Sequence, residues 1–472
     1  MLILLCFSFL RGVGQVVFAR TFGGPLEDGG FGLAATPNGH YVAAGYTGSF
    51  GAGAADGFLV CVNPLGFWQW QKTYGGPDTD VLRDIVWYGN YGYATGYTKK
   101  IPSGRYEGWL LCLDASGDTL FTRTFQGLGW CLPQAVAAAD SSLYLCGMAY
   151  DSLGVAQGWA MRTDLQGAIQ WQVHWLPPGQ EEAGFEAVVV FSDSLMALGG
   201  HSVLGSDGQA ALLFLNRWDG SLKGFQLLGQ ANFQEKITGI DYDGQKIWFC
   251  GSVRDPLNDR LAPLIGYIVP GTSTTYVPAP YFPLQFDNTY HKIKCFGQDD
   301  YYLTGKTTFL GQGFTAATAF RYDNDQLTWG TNVGNQGQSA AYGLLKTPDG
   351  GLLATGELTG QGPGLRALLM WKIDSLGNSV PVAQVNSESP PDPSSFRISV
   401  LGEELRLFLD PSPERPANLE IWSLEGKLLY SKDDLQASAA GYLTVPLAGM
   451  PRMGLVRLRI KDAVWCLKFV RP

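Results

Sequence analysis

Short apolar runs separated by small and polar residues recur along most of the chain. One run covers residues 57–62, and it is followed by a turn at Gly66 and by the aromatic stretch 68–74. These runs do not alternate apolar with polar residues, which predicts strands that are buried on both faces. The intervening turns contain Gly, Asn and Asp, which are typical of β-hairpins. The pattern predicts many short antiparallel strands.

An apolar strand that ends in glycine marks an internal repeat. Its copies are spaced by 51 to 54 residues, and the glycines are Gly45, Gly96, Gly147, Gly199, Gly251, Gly305 and Gly356. About four strands of the usual ~5–6 residues, with short turns, fit into one such unit. Four antiparallel strands repeated radially form the blade of a β-propeller. A solenoid is the alternative, although solenoid repeats are usually shorter.

We therefore predict an all-β fold in which residues 15–383 form a seven-bladed β-propeller with four-stranded blades and a repeat of about 51 residues. Residues 16–24 match residues 68–76. Residues 378–382 occupy the same position within the repeat, at the end of the last unit. One strand type thus has eight copies and the others have seven. This excess predicts that the first strand completes the last blade, which leaves no open sheet edge.

The ends of the chain differ from the repeats. Residues 2–10 are apolar but too few to span a bilayer, which takes about 20 residues, so residues 1–14 are predicted to be a signal peptide; a buried first strand is the alternative. Residues 384–395 contain Pro390, Pro391 and Pro393 and are predicted to be a linker. Residues 396–472 contain seven short strand-like segments, which favour a small Ig-like β-sandwich.

Two family resemblances accompany these patterns. Residues 70–76, 38–41, 44–49 and 56–60 resemble propeller repeats of exported Bacteroidetes and archaeal proteins. That resemblance implies the fold and export, and it implies no activity.

The tail is similar to the type A sorting domain of the type IX secretion system. The matching segments, in order, are residues 410–413, 421–427, 447–458 and 467–470. Ser412 stands where the family usually has Asn, and Val456 where it has Tyr. This resemblance implies type IX secretion machinery as a partner and a secreted or outer-membrane cell-surface location. The tail would then be removed or coupled to surface polysaccharide. An ordinary accessory sandwich is the alternative.

Composition narrows the function. The net charge of −9 provides no basic surface for nucleic acid, and we expect no transmembrane span. The eight cysteines include no Cys-x-x-Cys pair, so a zinc site has no support. Buried free thiols are expected, with a Cys131–Cys146 disulfide as the alternative.

No motif identifies a catalytic, metal or cofactor site. The four histidines, His40, His174, His201 and His291, show no metal-ligand spacing. The acidic segments 78–80 and 241–244 are interpreted as turns rather than calcium loops, and Glu181 and Glu182 as solvated neighbours. We predict no catalytic residue, no metal and no cofactor, and the sequence identifies no ligand-binding residue. Residues 223–236 and 270–289 interrupt the pattern. They are either binding loops or segments in which the repeat sequence has drifted.

Three functions are consistent with these features. The first is a non-catalytic, exported scaffold that binds a protein, a glycan or surface polysaccharide. The second is a secreted hydrolase or lyase, which would need ionisable side chains converging in one mouth of the ring. The third is a purely structural surface component. The first is preferred, and the enzyme question stays open with a preference for no activity.

Deleting residues 396–472 is predicted to abolish delivery to the cell surface and to leave a folded ring. The tail holds the sorting signal in this interpretation, while the repeats bury their own core. Surface labelling of cells and thermal unfolding of the shortened chain are the two measurements. Normal surface display of the shortened chain would rule out the sorting assignment.

Overall fold

A computed structural model describes residues 16–380 apart from 101–102, 127–128, 231, 256–258, 273, 277–286, 309–314 and 335–336, together with seven strands between residues 396 and 470. The chain divides into two compact units, one of residues 16–383 and one of residues 1–15 and 384–472. The secondary structure of the described residues consists of strands, and none of these residues forms a helix that could cross a membrane. The predicted signal peptide and linker lie outside the described residues.

The first strand, β1 (Phe18–Phe22), belongs to the last sheet of its unit. The strands that follow β1 form the other sheets in chain order. The first sheet contains β2 (Asp28–Ala35), β3 (Tyr41–Thr47), β4 (Asp56–Val62) and β5 (Trp68–Tyr74). The second contains β6 (Asp80–Tyr88), β7 (Tyr91–Lys100), β8 (Arg105–Leu113) and β9 (Thr119–Phe125). The third contains β10 (Cys131–Ala139), β11 (Ser142–Tyr150), β12 (Ala156–Asp164) and β13 (Ile169–Trp175).

The remaining sheets repeat this order. The fourth contains β14 (Glu182–Val190), β15 (Leu195–Leu204), β16 (Asp207–Asn216) and β17 (Leu222–Leu228). The fifth contains β18 (Gln234–Tyr242), β19 (Ile247–Asp255), β20 (Arg260–Ile268) and β21 (Thr274–Tyr276). The sixth contains β22 (Asn288–Gly297), β23 (Asp300–Thr307), β24 (Ala316–Asp323) and β25 (Gln326–Val333). The seventh contains β26 (Ala340–Lys346), β27 (Leu352–Thr359), β28 (Arg366–Ile373) and β1.

The sheets form a ring, because the first strand of each contacts the first strand of the next. The contacts run in order through β2, β6, β10, β14, β18, β22 and β26, and β26 contacts β2. Four-stranded antiparallel sheets in a closed ring are a β-propeller. The predicted strand exchange is confirmed, because β1 pairs with β28 and places Phe18 opposite Lys372. Described residues 374–380 form a turn without a strand, and β1 takes that position in the sheet.

Apolar side chains fill the space between neighbouring sheets. Leu59 and Cys61 of β4 pack with Leu82 and Trp109 of the second sheet, and every residue of β4 is buried, as its unbroken apolar run predicted. Tryptophans of the outermost strands close the outer side of these layers. The indole N–H of Trp70 donates to the Ala115 carbonyl at 3.2 Å, which lies in the outer turn of the next sheet. Trp171 and Trp329 do the same with Arg217 and Ser375.

The recurring glycine of the second strand faces a β-bulge in the first strand. Gly45 pairs with Gly30, and the next pair is Gly32 with Ala44, so Phe31 is the extra residue. A Cβ on Gly45 would lie 1.8 Å from the Gly29 carbonyl oxygen. The other six copies, Gly96, Gly147, Gly200, Gly251, Gly305 and Gly356, show the same contact at 1.8 to 2.2 Å. Only glycine allows this approach of two backbones.

Two sequence interpretations need correction. In the fourth sheet the bulge glycine is Gly200, which pairs with Phe185, and not Gly199. Residues 223–236 are no insertion, because they contain most of the ordinary fourth strand β17 and the start of β18. Residues 270–289 include the short strand β21, and residues 277–286 lie outside the described part of the chain.

The cysteines of the first unit are free thiols. Cys131 and Cys146 are both buried and unbonded, so the alternative of a disulfide between them is wrong. Cys131 instead pairs with Ala149 along the backbone, and Cys146 pairs with Ala135. Cys6 lies outside the described residues.

The tail contains the seven strands that the sequence predicted, with slightly different ends. They are β29 (Phe396–Leu401), β30 (Glu404–Leu409), β31 (Ala417–Trp422), β32 (Leu428–Leu435), β33 (Tyr442–Pro446), β34 (Met453–Ile460) and β35 (Ala463–Val470). One sheet has the order β29-β30-β33, and the other has the order β32-β31-β34-β35. Strand β29 contacts β35, which brings the two sheets together.

Replacing Gly45 by Ala is predicted to lower the free energy of unfolding by about 3 kcal/mol, because the new methyl group can be accommodated only by moving the backbone. Thermal or urea unfolding of the full chain measures the change. Gly224→Ala is the matched control, since a Cβ there meets nothing within 4 Å. Equal stability of the two variants would contradict the role given to the recurring glycine.

Candidate functional site

Each bulge directs one side chain out of the regular pattern of its strand, as β-bulges commonly do. The seven residues, named here the bulge ring, are Phe31, Arg83, Gln134, Glu186, Thr238, His291 and Tyr342. All seven are half-buried. They lie on the innermost strands, where the sheets converge, and they form one mouth of the central channel.

Members of the bulge ring contact one another between sheets. The Arg83 guanidinium lies 4.0 Å from the centre of the Phe31 ring, and its Nε donates to Gln134 Oε1 at 2.7 Å. The rings of Phe31 and Tyr342 are 5.3 Å apart, and Tyr342 stacks on His291 at 4.7 Å. Five neighbouring positions therefore form one continuous surface of aromatic, cationic and amide groups.

An ion pair occupies the opposite side of the mouth. Glu186 Oε1 lies 2.5 Å from Lys236 Nζ. Burial acts to raise the pKa of Glu186, but the charges of Lys236 and Arg83 outweigh it, so the pKa is lower than usual. Glu186 is therefore an anion at neutral pH.

The pKa of Glu357 is shifted in the opposite direction. It accepts hydrogen bonds from Arg366 Nη1 at 2.9 Å and from the Tyr46 hydroxyl at 3.3 Å. Burial nevertheless raises the pKa of Glu357 above its ordinary value, while the charges of Arg366 and Arg83 oppose the rise. The mouth thus holds two carboxyl groups in different electrostatic environments.

Two of the four histidines lie at this mouth. Burial lowers the pKa of His291 to about 4, and its Nδ1 lies 3.0 Å from the Ala341 carbonyl oxygen. His201 Nε2 lies 3.5 Å from Glu182 Oε1, so Glu182 has a partner besides solvent. His40 lies in a turn and His174 on the outermost strand β13, away from the ring.

Next to the bulge ring the channel contains a cavity of about 660 Å³. Residues from all seven innermost strands line it, among them Trp87, Ala139, Val190, Lys294 and Leu345. Asp84 of β6 and Lys292 of β22 approach to 3.7 Å. Since their sheets are not neighbours, this ion pair links the second and sixth sheets across the channel.

The acidic segments lie in turns and at the adjoining strand ends, since Asp80 begins β6 and residues 241–242 end β18. Asp80 accepts a hydrogen bond from the Gly76 N–H at 2.7 Å, and Asp243 accepts one from the Lys246 N–H at 2.6 Å. Asp241 is paired with Lys294 at 3.1 Å. Over the part of the chain that the structure describes, no group of His, Cys, Asp and Glu side chains could hold a metal ion.

Sequence reasoning missed the bulge ring and found no cluster of ionisable groups. The signal was present, because each recurring glycine marks the bulge opposite it. The residue after the glycine's pairing partner is the ring residue, as Phe31 follows Gly30. Strand pairing was needed to recognise this, since a bulge leaves no periodicity of its own.

Comparison with known proteins gives distant similarities to solved structures. No protein-family model matches the sequence, and no curated protein does either. Among solved structures, Chaetomium thermophilum Sqt1 bound to the N-terminus of ribosomal protein L10 is 12% identical with a TM-score of 0.40, over 75% of this chain and 98% of that one. The β-propeller domain of the Pyrococcus furiosus Trilobed protease is 10% identical with a TM-score of 0.42, over 75% and 95%. Pyrococcus horikoshii acylaminoacyl peptidase is 11% identical with a TM-score of 0.42, over 84% and 58%. The assignment as a β-propeller rests on the strand order of this chain.

The half-buried, neutral His291 predicts a loss of stability as the pH falls. Its pKa is about 4 in the folded chain and 6.5 as the ordinary value, so between these values the unfolded chain takes up a proton that the folded chain does not. The predicted contribution of His291 to the free energy of unfolding is about 3 kcal/mol. It is present above pH 6.5 and is lost towards pH 4. Unfolding curves of wild type and His291→Gln across this range measure it. Parallel pH dependences of the two proteins would contradict the prediction.

Proposed function

We propose that this chain is an exported, seven-bladed β-propeller that binds a glycan or protein ligand in the mouth formed by the bulge ring, without catalysing a reaction. Its tail is an Ig-like sorting domain for the type IX secretion machinery, and its place is outside the cell or on the cell surface.

The variety of the bulge ring is the observation that supports binding. The seven positions are equivalent in the fold, yet they hold seven residue types: Phe, Arg, Gln, Glu, Thr, His and Tyr. The facing position, by contrast, is glycine in every sheet because the backbone requires it. The backbone geometry therefore does not fix the residue type at the ring positions. A concave site with a few aromatic and polar groups is the usual form of a binding site.

Export is supported by the sequence. The order of segments in the tail resembles the sorting domain, and seven strands in two sheets are compatible with an Ig-like sandwich. The free, buried thiols provide no disulfide evidence for an oxidising location.

A secreted hydrolase is the second candidate, and one observation favours it. Glu186 and Glu357 both interact with Arg83, while their pKa values are shifted in opposite directions. Carboxyl groups with pKa values pushed apart are a common arrangement for acid and base catalysis. Glu186 is engaged by Lys236, however, and Glu357 by Arg366, so both are held in ion pairs.

Arg83→Gln is predicted to weaken ligand binding about tenfold, because it removes a charge that joins Phe31 to Gln134 at the centre of the mouth. Labelled full-length chain is applied to a glycan array and to surface-protein fractions, and affinity for each captured ligand is then measured. Arg123→Gln on the outer strand β9 is the matched control and should bind like wild type.

Unchanged affinity of Arg83→Gln for every ligand would place the binding site elsewhere. Release of new reducing ends from a bound glycan by wild type, and not by Glu357→Gln, would support the hydrolase instead.

A further inference from the structure

Four aromatic side chains form a line on the second and third sheets beside the mouth. They are named here the aromatic track and consist of Tyr97, Tyr106, Trp130 and Tyr150. Their ring centres are separated in turn by 5.4, 5.3 and 5.8 Å. Trp130, in the middle of the track, is 43% exposed.

The track begins at the bulge ring and leads away from it. Tyr97 lies next to the bulge, on the residue after Gly96, and its pKa is raised by burial while the charge of Arg83 opposes the rise. At the far end, burial and the nearby Glu182 carboxylate raise the pKa of Tyr150. The track thus connects Arg83 in the mouth with Glu182 at the start of the fourth sheet.

The propeller fold does not require aromatic residues at the positions of Trp130 and Tyr150. Trp130 lies four positions before its bulge residue, where the other sheets have polar residues: Glu27, Thr79, Glu182, Gln234, Asp287 and Gln338. Tyr150 lies three positions after its bulge glycine, where the other sheets have Gly48, Lys99, Val203, Arg254, Thr308 and Thr359. Trp130 and Tyr150 thus do not recur with the repeat, whereas Tyr97 has the counterpart Tyr46 after the bulge glycine of the first sheet.

The polar atoms of the track have no hydrogen-bond partner among the residues that the structure describes. The structural tryptophans Trp70, Trp171 and Trp329 each donate their indole N–H to the next sheet. By contrast, no described residue forms a hydrogen bond with the indole N–H of Trp130 or with the hydroxyls of Tyr97, Tyr106 and Tyr150. These groups are therefore available for hydrogen bonds to solvent or to a polar ligand.

We propose that the aromatic track is a subsite for an extended polysaccharide chain, whose sugar rings lie along the aromatic residues and whose far end enters the mouth. This inference rests on the proposed function and names its ligand. Neighbouring rings of the track pack edge to face, so the exposed Trp130 offers the aromatic surface for the C–H face of a sugar ring. The tyrosine hydroxyls offer hydrogen bonds to sugar hydroxyl groups.

The surroundings favour a sugar over other polymers. The net charge of −9 opposes nucleic acid. Polar groups flank the track, including the Gln126–Glu107 hydrogen bond at 2.7 Å and the Lys100–Glu107 ion pair at 3.7 Å. A protein-binding centre would instead be depleted in charged side chains.

The test is affinity electrophoresis and calorimetry of the full chain with soluble β-glucan, xylan, mannan and polygalacturonate. We expect binding to at least one of them, weakened about tenfold by Trp130→Ala and measurably by Tyr106→Phe, which removes only a hydroxyl group. Trp130→Phe should retain most of the affinity. Trp218→Ala is the matched control, because Trp218 is also 43% exposed. Trp218 lies in the outer turn between β16 and β17, and its indole N–H donates to the Asp193 carbonyl.

Each other outcome overturns the inference. Binding that Arg83→Gln weakens but Trp130→Ala and Tyr106→Phe leave unchanged would keep the mouth as the binding site and exclude the track. No binding to any of the four polysaccharides would exclude the polysaccharide subsite. If the same chain binds a protein through Arg83, the proposed function stands and the polysaccharide subsite does not.

Discussion

The close approach of a carbonyl oxygen to a glycine, repeated in each sheet, is the constraint on which the rest of the propeller depends. At Gly45 the oxygen of Gly29 occupies the space that a side chain would need. This contact accommodates the extra residue of the bulge in the innermost strand. Without it, each innermost strand would continue its alternation, and the ring residues would point into the layers between sheets rather than towards one another.

Ring closure turns this local constraint into a site. Each sheet buries apolar side chains against its neighbours, and the strand β1 completes the last sheet by pairing with β28. Lys372 of β28, nearly fully buried, bonds the Val16 carbonyl at 2.8 Å and so holds the chain start in place. Because the ring is closed, seven bulges that are about fifty residues apart in the chain meet at one mouth.

The chemistry of the mouth differs from one side to the other. Phe31, Tyr342 and His291 form an aromatic side, and Glu186 with Lys236 forms a charged side. Arg83 lies between the two, against Phe31 and within the field of Glu186. The aromatic track continues the surface outwards on the second and third sheets only. The mouth is thus asymmetric although the ring of sheets is nearly symmetric.

The sequence by itself determined the fold class, the repeat, the ring closure and the seven tail strands. Burial, turn geometry and the glycine at each bulge act within a few residues of the chain, and they leave a periodic pattern that can be counted. The tertiary structure alone decided the site. Arg83 and Gln134 come together only because two sheets are neighbours in the ring, and Asp84 meets Lys292 only because the ring is closed. Contacts between distant parts of a chain depend on how whole sheets pack, and no local pattern of residues records them.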